Sequence, residues 1–416
     1  MRIAVIGAGI SGLVAAHQAH RAGHDVHVLE AGAYAGGHTN TIRVDEPDAT
    51  LDVDTGFIVF NNRNYPNFER LLEQLGVAWQ PSDMSFGVGD ERGDFEYAST
   101  SPNGLYAKRR HLASPAFHRM VLDVRRFQRE ARTLLASDAD PSLAQWLDEV
   151  GFGEAFVERL IVPQAAAVWS ADPAQMWTFP ARFLIQFFDN HGMFELRDRP
   201  QWRVIQGGSK RYVEALTQPF ADRIRLRTPV RAVVRDADGG GVSVDGERFD
   251  HVVLATHADT TLKILGDDAT PLERELLSAF PYAPNEAVLH HDRRLLPRRR
   301  RAWASWNYHL LDEPSGKPTV TYHMNRLQSL PSSARRQWCV TLNRTEAIDP
   351  EAIVRRIQYA HPVFTQAGMA AQERVAEISG GRGRTHFAGA YWGWGFHEDG
   401  VVSGLRVARE LGSEAP

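Results

Sequence analysis

The first thirty residues constrain the fold more than any other part of the chain. Residues 2–6 form a short apolar, β-branched run of the kind that makes a buried parallel strand. Gly7, Gly9 and Gly12 follow in the spacing G-x-G-x-x-G and open a helical pattern, after which a second strand-like run ends on Glu30. This order predicts a βαβ unit that binds a dinucleotide, with the pyrophosphate at the helix N-terminus and the acid at a ribose.

Along the rest of the chain, the predicted secondary structure changes several times. Helical patterns dominate the middle, strand patterns return after residue 201, and the last segment is a strand, a glycine-rich turn and a helix. We therefore predict an α/β fold in which a discontinuous Rossmann-like domain carries an inserted α+β substrate domain. The predicted boundaries are 1–62, 201–268 and 372–416 for the nucleotide-binding domain, and 63–200 and 269–371 for the substrate domain.

Composition excludes several classes of protein. The 416 residues carry a formal net charge of −4, which argues against nucleic acid as the main partner because phosphate binding needs a basic field. Cys339 is the only cysteine, which rules out a disulfide framework. The histidines show none of the ligand spacings of a metal site, so we predict no metal. No apolar stretch approaches the ~20 residues of a membrane span, and we expect a cytoplasmic protein.

A second glycine-rich turn narrows the choice of dinucleotide. Gly36, Gly37 and His38 follow Glu30, and an acid followed by a G-G-[RH] turn resembles the pattern of the flavin-dependent amine oxidase, phytoene desaturase and protoporphyrinogen oxidase superfamily. Five further segments resemble the same family in the same order, namely "DVDTGF", "QGGSKRYVEAL", "TPVRAV", "HVVLATHAD" and "HFAGA". The resemblance implies an FAD-dependent oxidoreductase with a Rossmann-like domain of the amine-oxidase type and non-covalently bound FAD.

The resemblance also implies which residues bind the cofactor. It carries over Gly7, Gly9, Ile10, Ser11, Gly12, Glu30, Ala31, Gly36, Gly37, His38, Thr39, Asp54, Gly56, Phe57, Val230, Ala255, Thr256, Gly389, Ala390, Gly400 and Val401. The chain departs from the family pattern at His38, where arginine is common, and at Ala390, where an acid is usual. We expect the backbone N–H groups of Gly400 and Val401, at the start of the last helix, to face the flavin C2 carbonyl.

Several runs are most similar to one bacterial subgroup, the NAD/FAD-binding oxidoreductases associated with cyclopropane-fatty-acid-synthase-like enzymes. These runs include "DTGFIVFNNRNYPN", "FFDNHGM", "ASWNYH" and "AYWGWGFHEDG". The similarity implies a fatty-acyl substrate that is dehydrogenated or desaturated by hydride transfer to flavin N5, and a fatty-acyl methyltransferase as a partner. The alternatives are an amine oxidase that uses oxygen, a redox-neutral fatty-acid double-bond isomerase, and a non-catalytic flavin-bearing partner subunit.

Candidate acid–base groups are few. We select His397, Glu398 and Tyr308 as candidate catalytic residues, and His191 and His323 as further candidates. The alternative for any one histidine is a hydrogen-bonded structural imidazole. For the acids at the start of the last helix, the alternative is helix capping.

Two other segments suggest contacts with a lipid. The apolar, aromatic run at 179–193 either walls a tunnel for an acyl chain or forms an amphipathic core helix, and Trp306, Tyr322 and Met324 extend a pocket. The arginine-rich segment at 293–301 is either a solvated loop or a contact for a carboxylate head group or an anionic membrane surface. The second interpretation predicts peripheral contact with the inner face of the membrane.

Overall fold

The computed structural model describes residues 1–169, 172–192, 199–236, 239–313 and 316–413. The strands in these ranges are β1 (Arg2–Ile6), β2 (Asp25–Leu29), β3 (Thr41–Glu46), β4 (Ala49–Asp54), β5 (Val59–Asn61), β6 (Trp79–Pro81), β7 (Phe86–Asp90), β8 (Glu96–Ala98), β9 (Trp202–Ile205), β10 (Ile224–Arg225), β11 (Val233–Arg235), β12 (Val242–Val244), β13 (Glu247–Phe249), β14 (His251–Leu254), β15 (Tyr282–His290), β16 (Trp306–Leu310), β17 (Val320–His323), β18 (Cys339–Leu342), β19 (Ile353–Pro362) and β20 (Thr385–Phe387).

The α-helices are α1 (Ile10–Arg21), α2 (Pro66–Gln74), α3 (Pro102–Leu105), α4 (Pro115–Leu135), α5 (Leu143–Val150), α6 (Glu154–Phe156), α7 (Val162–Trp169), α8 (Ala181–Asn190), α9 (Lys210–Thr217), α10 (Ala258–Leu265), α11 (Pro271–Ser278), α12 (Met324–Leu327), α13 (Gln366–Gln372) and α14 (His397–Glu410). A π-helical turn, Val157–Ile161, joins α6 to α7. Within the described ranges, no helix is long and apolar enough to cross a membrane.

A parallel sheet of five strands forms around the first βαβ unit. Its order is β10-β2-β1-β14-β20, so separated parts of the chain meet in one sheet. Both faces of β1 are buried because its side chains alternate between two cores. Ile3 and Val5 pack with α1, α9 and α14, whereas Ala4 and Ile6 pack with α10, α11 and β11–β13. This double burial explains the continuous apolar run at residues 2–6.

A second, larger sheet carries most of the inserted part of the chain. Its order is β19-β15-β18-β17-β16-β7-β8, and β16 and β7 are its parallel pair. Helices α4, α5, α7 and α8 pack in the same hydrophobic core as this sheet. The predicted α/β architecture, a Rossmann-like domain with an added α+β domain, is confirmed.

Smaller strand pairings connect the two large sheets. The hairpin β3-β4 leads from the nucleotide-binding part, and β9 lies between β5 and β6 in a three-stranded sheet. Because β6 belongs to the segment predicted as substrate domain and β9 to the nucleotide-binding segment, this small sheet joins the two. The exact domain boundaries remain a prediction.

Candidate functional site

A single cavity of about 480 Å³ runs from the first β–α turn into the second domain. One end is bordered by Gly7, Gly9 and Glu30, which belong to the predicted dinucleotide site. The other end is bordered by large apolar and aromatic side chains, among them Met84, Trp169, Phe187, Trp306, Tyr322 and Trp394. The glycine-rich motifs and the aromatic residues of the sequence therefore line one continuous space.

The turn between β1 and α1 shows why its glycines stand where they do. Gly7 has φ +103°, which L-residues rarely adopt. A Cβ at Gly12 would overlap the carbonyl oxygen of Gly7, so this glycine allows the helix to lie against the strand. A Cβ at Gly9 would meet no atom within 4 Å, so the backbone there faces open space. The first turn of α1 has neither a side-chain cap nor an acid, which leaves its N–H groups for an anion.

Glu30 lies directly after β2 and fixes the neighbouring loops. Its carboxylate accepts hydrogen bonds from the backbone N–H groups of Ala8 and Gly32, each with an N···O distance of 2.7 Å. The side chain borders the cavity at the same time. Glu30 therefore holds the edge of the dinucleotide end in shape, and the ribose contact stays a prediction.

The second glycine-rich turn rests against the first. Gly36 donates its N–H to the carbonyl of Ala8 at 2.7 Å, and a Cβ at Gly37 would come within 3.2 Å of the Cα of Gly9. His38 follows on the cavity wall. This contact between turns explains why a glycine doublet is needed after Glu30.

A cluster of imidazole and phenol rings surrounds His38. Its ring stacks on Tyr359 at a centroid distance of 4.9 Å, with His361 at 5.3 Å and His257 at 6.1 Å. Burial, together with the repulsion of neighbouring histidines, lowers the pKa of His38, and burial lowers that of His361 to about 4. At neutral pH the cluster is uncharged, and among the described residues the Nε2 atom of His38 has no partner.

Sequence reasoning did not select His257 or His361 for the site. The only sequence signal for His257 is its place in the segment "HVVLATHAD", which resembles the family. His361 gives no signal of its own, because it reaches the cavity through the pairing of β19 with β15, where it lies opposite Ala283.

His397, the first residue of α14, lies on the cavity wall. Its Nε2 atom is 2.6 Å from the hydroxyl of Tyr212 and 3.2 Å from that of Thr39, and its ring stacks on Phe57 with centroids 3.5 Å apart. Burial lowers the pKa of His397 to about 3. The imidazole is therefore a neutral hydrogen-bonding group, held rigidly by three neighbours.

Glu398 lies next to His397 but has a different environment. Its carboxylate accepts hydrogen bonds from the backbone N–H and the side-chain amide of Asn67, at 3.0 and 2.6 Å, and from the backbone N–H of Phe68, at 2.9 Å. These groups form the first turn of α2, so Glu398 caps that helix and does not border the cavity. The structure corrects its expected place at the reacting end. Asp399 accepts from the N–H of Phe396 at 2.9 Å, as a capping acid does.

Tyr308 and His323 also lie away from the cavity wall. Tyr308 is buried in the core under the larger sheet, and His323 Nε2 is hydrogen-bonded to the side chain of Gln337 at 2.8 Å. The expected catalytic place of Tyr308 is corrected in the same way. Trp306 and Tyr322, on β16 and β17, supply the aromatic lining instead.

Asp54 is placed behind the cavity wall. Its fully buried carboxylate accepts hydrogen bonds from the hydroxyl of Thr41 at 2.5 Å and from the N–H and hydroxyl of Ser209 at 2.9 and 3.1 Å. Burial raises the pKa of Asp54 to about 7. These bonds join the end of β4 to the start of α9 and so position Gly56 and Phe57, which do border the cavity.

The predicted cofactor residues thus divide into two groups. Those on the cavity wall are Gly7, Gly9, Ile10, Ser11, Glu30, Gly36, Gly37, His38, Gly56, Phe57, Ala255, Thr256, Gly389 and Ala390. Those not on the wall are Gly12, Ala31, Thr39, Asp54, Val230, Gly400 and Val401. For Gly400 the reason is helix packing, because a Cβ there would lie 2.5 Å from Cγ2 of Ile10, and its N–H is bonded to the carbonyl of Phe396. Gly395, Phe396 and His397 border the cavity in its place.

The aromatic end of the cavity is built by α8 and the loop before α14. Phe183 stacks on Trp394 at 4.2 Å, and Phe187 stacks on Phe396 at 5.1 Å and on His191 at 3.8 Å. Burial lowers the pKa of His191 to about 4, so this ring is also uncharged. The segment forms the amphipathic helix α8, which buries one side in the core, and Phe187 also borders the cavity, whereas binding of an acyl chain there stays a prediction. Met193 lies outside the described residues.

Two absences bear on the chemistry. Among the described residues, no group of three or more histidine, cysteine or acidic side chains could hold a metal ion. Among the described residues that border the cavity, Glu30 is the only acid, and none is a lysine or an arginine. Cys339 is fully buried, and burial raises its pKa well above the usual range of a thiol.

Comparison with known proteins gives one family. The model of the family described as flavin containing amine oxidoreductase matches residues 10–412. The 15-cis-phytoene desaturase of Arabidopsis thaliana is 22% identical over 297 residues, which are 64% of this chain and 50% of that protein. The chain spans about half the length of the curated relatives it matches first, 54% and 50%.

Solved structures show the same fold over the whole chain. The cyclohexylamine oxidase from Brevibacterium oxydans has a TM-score of 0.69 at 19% identity, with 99% of each chain covered. The fatty acid isomerase from P. acnes that produces CLA has a TM-score of 0.67 at 18% identity, with 98% of each chain covered. At this identity the likeness shows the fold.

Proposed function

Because the chain belongs to the family of flavin-containing amine oxidoreductases, we propose that it is an FAD-dependent oxidoreductase that removes hydrogen from a fatty-acyl substrate. The observation that carries the proposal is the aromatic end of the cavity, whose described lining offers apolar surface without a fixed charge. Family membership confirms the resemblance seen in the sequence and supports FAD as the cofactor and flavin-dependent oxidoreductase as the enzyme class. The substrate and the reaction are the proposal.

The dinucleotide end of the cavity fits FAD. The open space at Gly9 and the uncapped start of α1 would receive the pyrophosphate, with Ile10 and Ser11 supplying backbone N–H groups. Glu30 would meet a ribose, and the turn at Gly36 and Gly37 would close the opposite side. When bound, FAD supplies a two-electron acceptor for the hydrogen removed from the substrate.

The aromatic end of the cavity, which we call the substrate end, favours binding of an apolar chain over binding of a charged amine. An ammonium group transferred from water would meet no carboxylate there, since Glu30, the only acid on the described wall, belongs to the dinucleotide end. The imidazoles of His191, His361 and His397 are kept neutral by burial and provide no charge either. An acyl chain has no such desolvation penalty, and burial of its methylene groups contributes favourable binding free energy.

We assign to His397, which borders the cavity, the role of orienting the reacting part of the substrate. Because burial disfavours the imidazolium, it acts as a neutral hydrogen-bonding group and not as a store for a proton. Burial also raises the pKa of Tyr212, which keeps its hydroxyl protonated and able to donate to Nε2 of His397. Thr39, the third member of this network, limits the motion of both side chains.

Two relatives lend support. A phytoene desaturase matches part of the chain, and a fatty acid isomerase has the same fold, so the family and the fold both include proteins named for acting on long apolar chains. The alternative of an amine oxidase that uses oxygen rests on the cyclohexylamine oxidase of the same fold. Among the described residues, no lysine borders the cavity.

Anaerobic mixing of the FAD-loaded protein with two substrate panels tests the proposal. One panel contains free fatty acids and acyl esters, and the other contains primary and secondary amines. The proposal expects loss of the oxidised flavin absorption with an acyl compound and a product lighter by two hydrogen atoms. Bleaching by amines alone would overturn it in favour of amine oxidation. An acyl product of unchanged mass with a moved double bond would replace it with isomerisation. No change with either panel would favour a non-catalytic subunit.

A further inference from the structure

The outer surface of the helical layer is strongly basic. Residues 108–132 contain eight lysines and arginines against two acids, in a chain whose net charge is −4. Five of them lie on α4, and four of these five are at exposed positions. We define the basic face as the exposed side chains Leu112, Arg119, Leu122, Arg125, Arg129 and Arg132.

Helix α4 is amphipathic along its whole length. Phe117, Met120, Phe127 and Leu134 are buried against the core. On the opposite side Arg119 and Arg129 expose 65% and 73% of their side chains, and Leu122 is 65% exposed between them. The spacing of three and four residues places these exposed groups on one stripe of the helix.

The two acids on this helix do not cancel the charge. Asp123 points inward, where its carboxylate accepts the N–H of Gly153 at 3.1 Å, and Arg119 approaches it only to 4.0 Å. Glu130 is bound by Arg129 at 2.7 Å. The remaining arginines leave the basic face with a net positive charge.

Leu112 and Leu122 give the basic face an apolar component. They are the two most exposed large hydrophobic side chains in the described residues, at 55% and 65%. Leu112 lies in the turn directly before α4. Exposed leucines surrounded by arginines are typical of a surface that lies in the interface of a membrane, where leucine enters the acyl boundary and arginine meets phosphate.

The arginine-rich segment at 293–301 continues this surface. Arg301 donates to the carbonyl of Ala107 at 2.7 Å, and Lys108 and Arg299 both donate to the carbonyl of Gly93, at 2.7 and 3.4 Å. The segment is therefore fixed beside the start of the basic face and is not a free solvated loop. Bonds to carbonyl groups leave the positive charge of the Arg301 guanidinium in place.

The basic face lies on the opposite side of the helical layer from the substrate end of the cavity. On its inner side α4 meets α8, where Phe127 and Phe188 lie 6.4 Å apart, and α8 in turn presents Phe187 to the cavity. A small apolar cleft of about 40 Å³ lies between α4 and the π-helical turn, lined by Val124 and Leu160 among others. One layer of helices thus separates the basic face from the aromatic lining.

We propose that the basic face docks on an anionic lipid bilayer, with Leu112 and Leu122 inserted at the acyl boundary and the arginines paired with lipid phosphates. The proposal deepens the proposed function, on which it rests for its purpose, because docking would bring the aromatic cavity to the place where acyl chains are found. A bilayer is favoured over an acidic protein or a nucleic acid, since the exposed leucines sit within the charge.

The first test is cosedimentation of the FAD-loaded full chain with vesicles of phosphatidylglycerol and phosphatidylcholine, and with vesicles of phosphatidylcholine alone. Binding should need the anionic lipid and weaken as salt is added. The variant Arg125→Glu/Arg129→Glu should lower partitioning by about tenfold or more, since one basic residue contributes about fivefold near such a surface. The variant Arg223→Glu/Arg248→Glu, which makes the same change in net charge at exposed positions elsewhere, should stay within about twofold. Equal loss in both variants, or equal binding to neutral vesicles, would overturn the proposal.

The second test locates the contact. Cys339 is the only native cysteine and is fully buried, so Leu122→Cys offers one reactive thiol for an environment-sensitive fluorophore. Val234→Cys, at a valine that is 53% exposed in β11, is the matched control. Anionic vesicles should shift the emission of the label at residue 122 to the blue and leave the label at 234 unchanged. No shift at 122, or an equal shift at 234, would contradict membrane docking through the basic face. Neither test measures turnover, so failure of the docking proposal can be distinguished from failure of the acyl substrate proposal.

Discussion

His397 and Phe57 stack face to face, with ring centroids 3.5 Å apart and planes 6° from parallel, on the wall of the cavity. Phe57 follows β4 and His397 begins α14, so the two ends of the chain complete this wall together. The stack also holds the imidazole away from water, which is why it stays neutral. The predictions below test this wall and the residues around it.

Gly9→Val should abolish retention of FAD while the fold persists. A side chain at Gly9 would enter the open space that the pyrophosphate needs, and its Cβ would meet no protein atom within 4 Å. Flavin content per protein, measured by absorbance after purification, should fall to near zero, with the unfolding temperature of the apoprotein unchanged. Gly12→Ala is the contrasting variant, because its Cβ would overlap the carbonyl of Gly7 and should destabilise the apoprotein itself. Normal flavin content in Gly9→Val would show that the turn is misinterpreted.

Glu398→Ala should weaken the protein's stability and leave its flavin in place. The variant removes the acceptor for the N–H groups that begin α2, which costs about 1 kcal/mol in typical helix caps. Denaturant unfolding of the FAD-loaded protein should show the loss, and turnover per bound flavin should change by less than about threefold. If turnover fell a hundredfold or more at normal stability, Glu398 would have a catalytic role.

Substitution of Trp306 should lower acyl turnover, whereas substitution of Tyr308 should not. Trp306→Ala removes part of the aromatic lining, and we expect acyl turnover at low substrate to fall about tenfold or more, through loss of buried contact area. Tyr308→Phe, on the same strand but behind the wall, should leave turnover within about twofold. Steady-state rates on the best acyl substrate compare the two. Inactivity of Tyr308→Phe at wild-type stability would contradict the placement of its hydroxyl.

Stability should fall as the solution is acidified. Burial lowers the pKa of His397 to about 3 and that of His361 to about 4, whereas an unfolded chain protonates histidine near 6.5. Between these values the unfolded state binds more protons than the folded one, so the free energy of unfolding decreases as pH falls from about 6.5 toward 4. Denaturant unfolding at several pH values measures this slope, and His397→Gln should reduce it. A slope that is the same in the variant would mean that His397 is protonated in the folded state.

Local sequence patterns determined the first βαβ unit, the cofactor class and the family. The reason is that the residues concerned lie close together in the chain and meet backbone demands, such as the positive φ of Gly7 and the contact between the turns at Gly9 and Gly37. The same patterns also indicated where the last strand returns to the sheet, because a buried parallel strand has a short apolar signature.

Only the tertiary structure decided which polar side chains face the cavity. Neighbours in sequence separate in space, since His397 borders the cavity whereas Glu398 caps α2. Residues far apart in sequence come together, as His38 and His361 do through the pairing of β19. Periodicity shows that a residue is buried, but what it is buried against depends on how distant strands and helices pack, and that long-range geometry leaves no local signature in the chain.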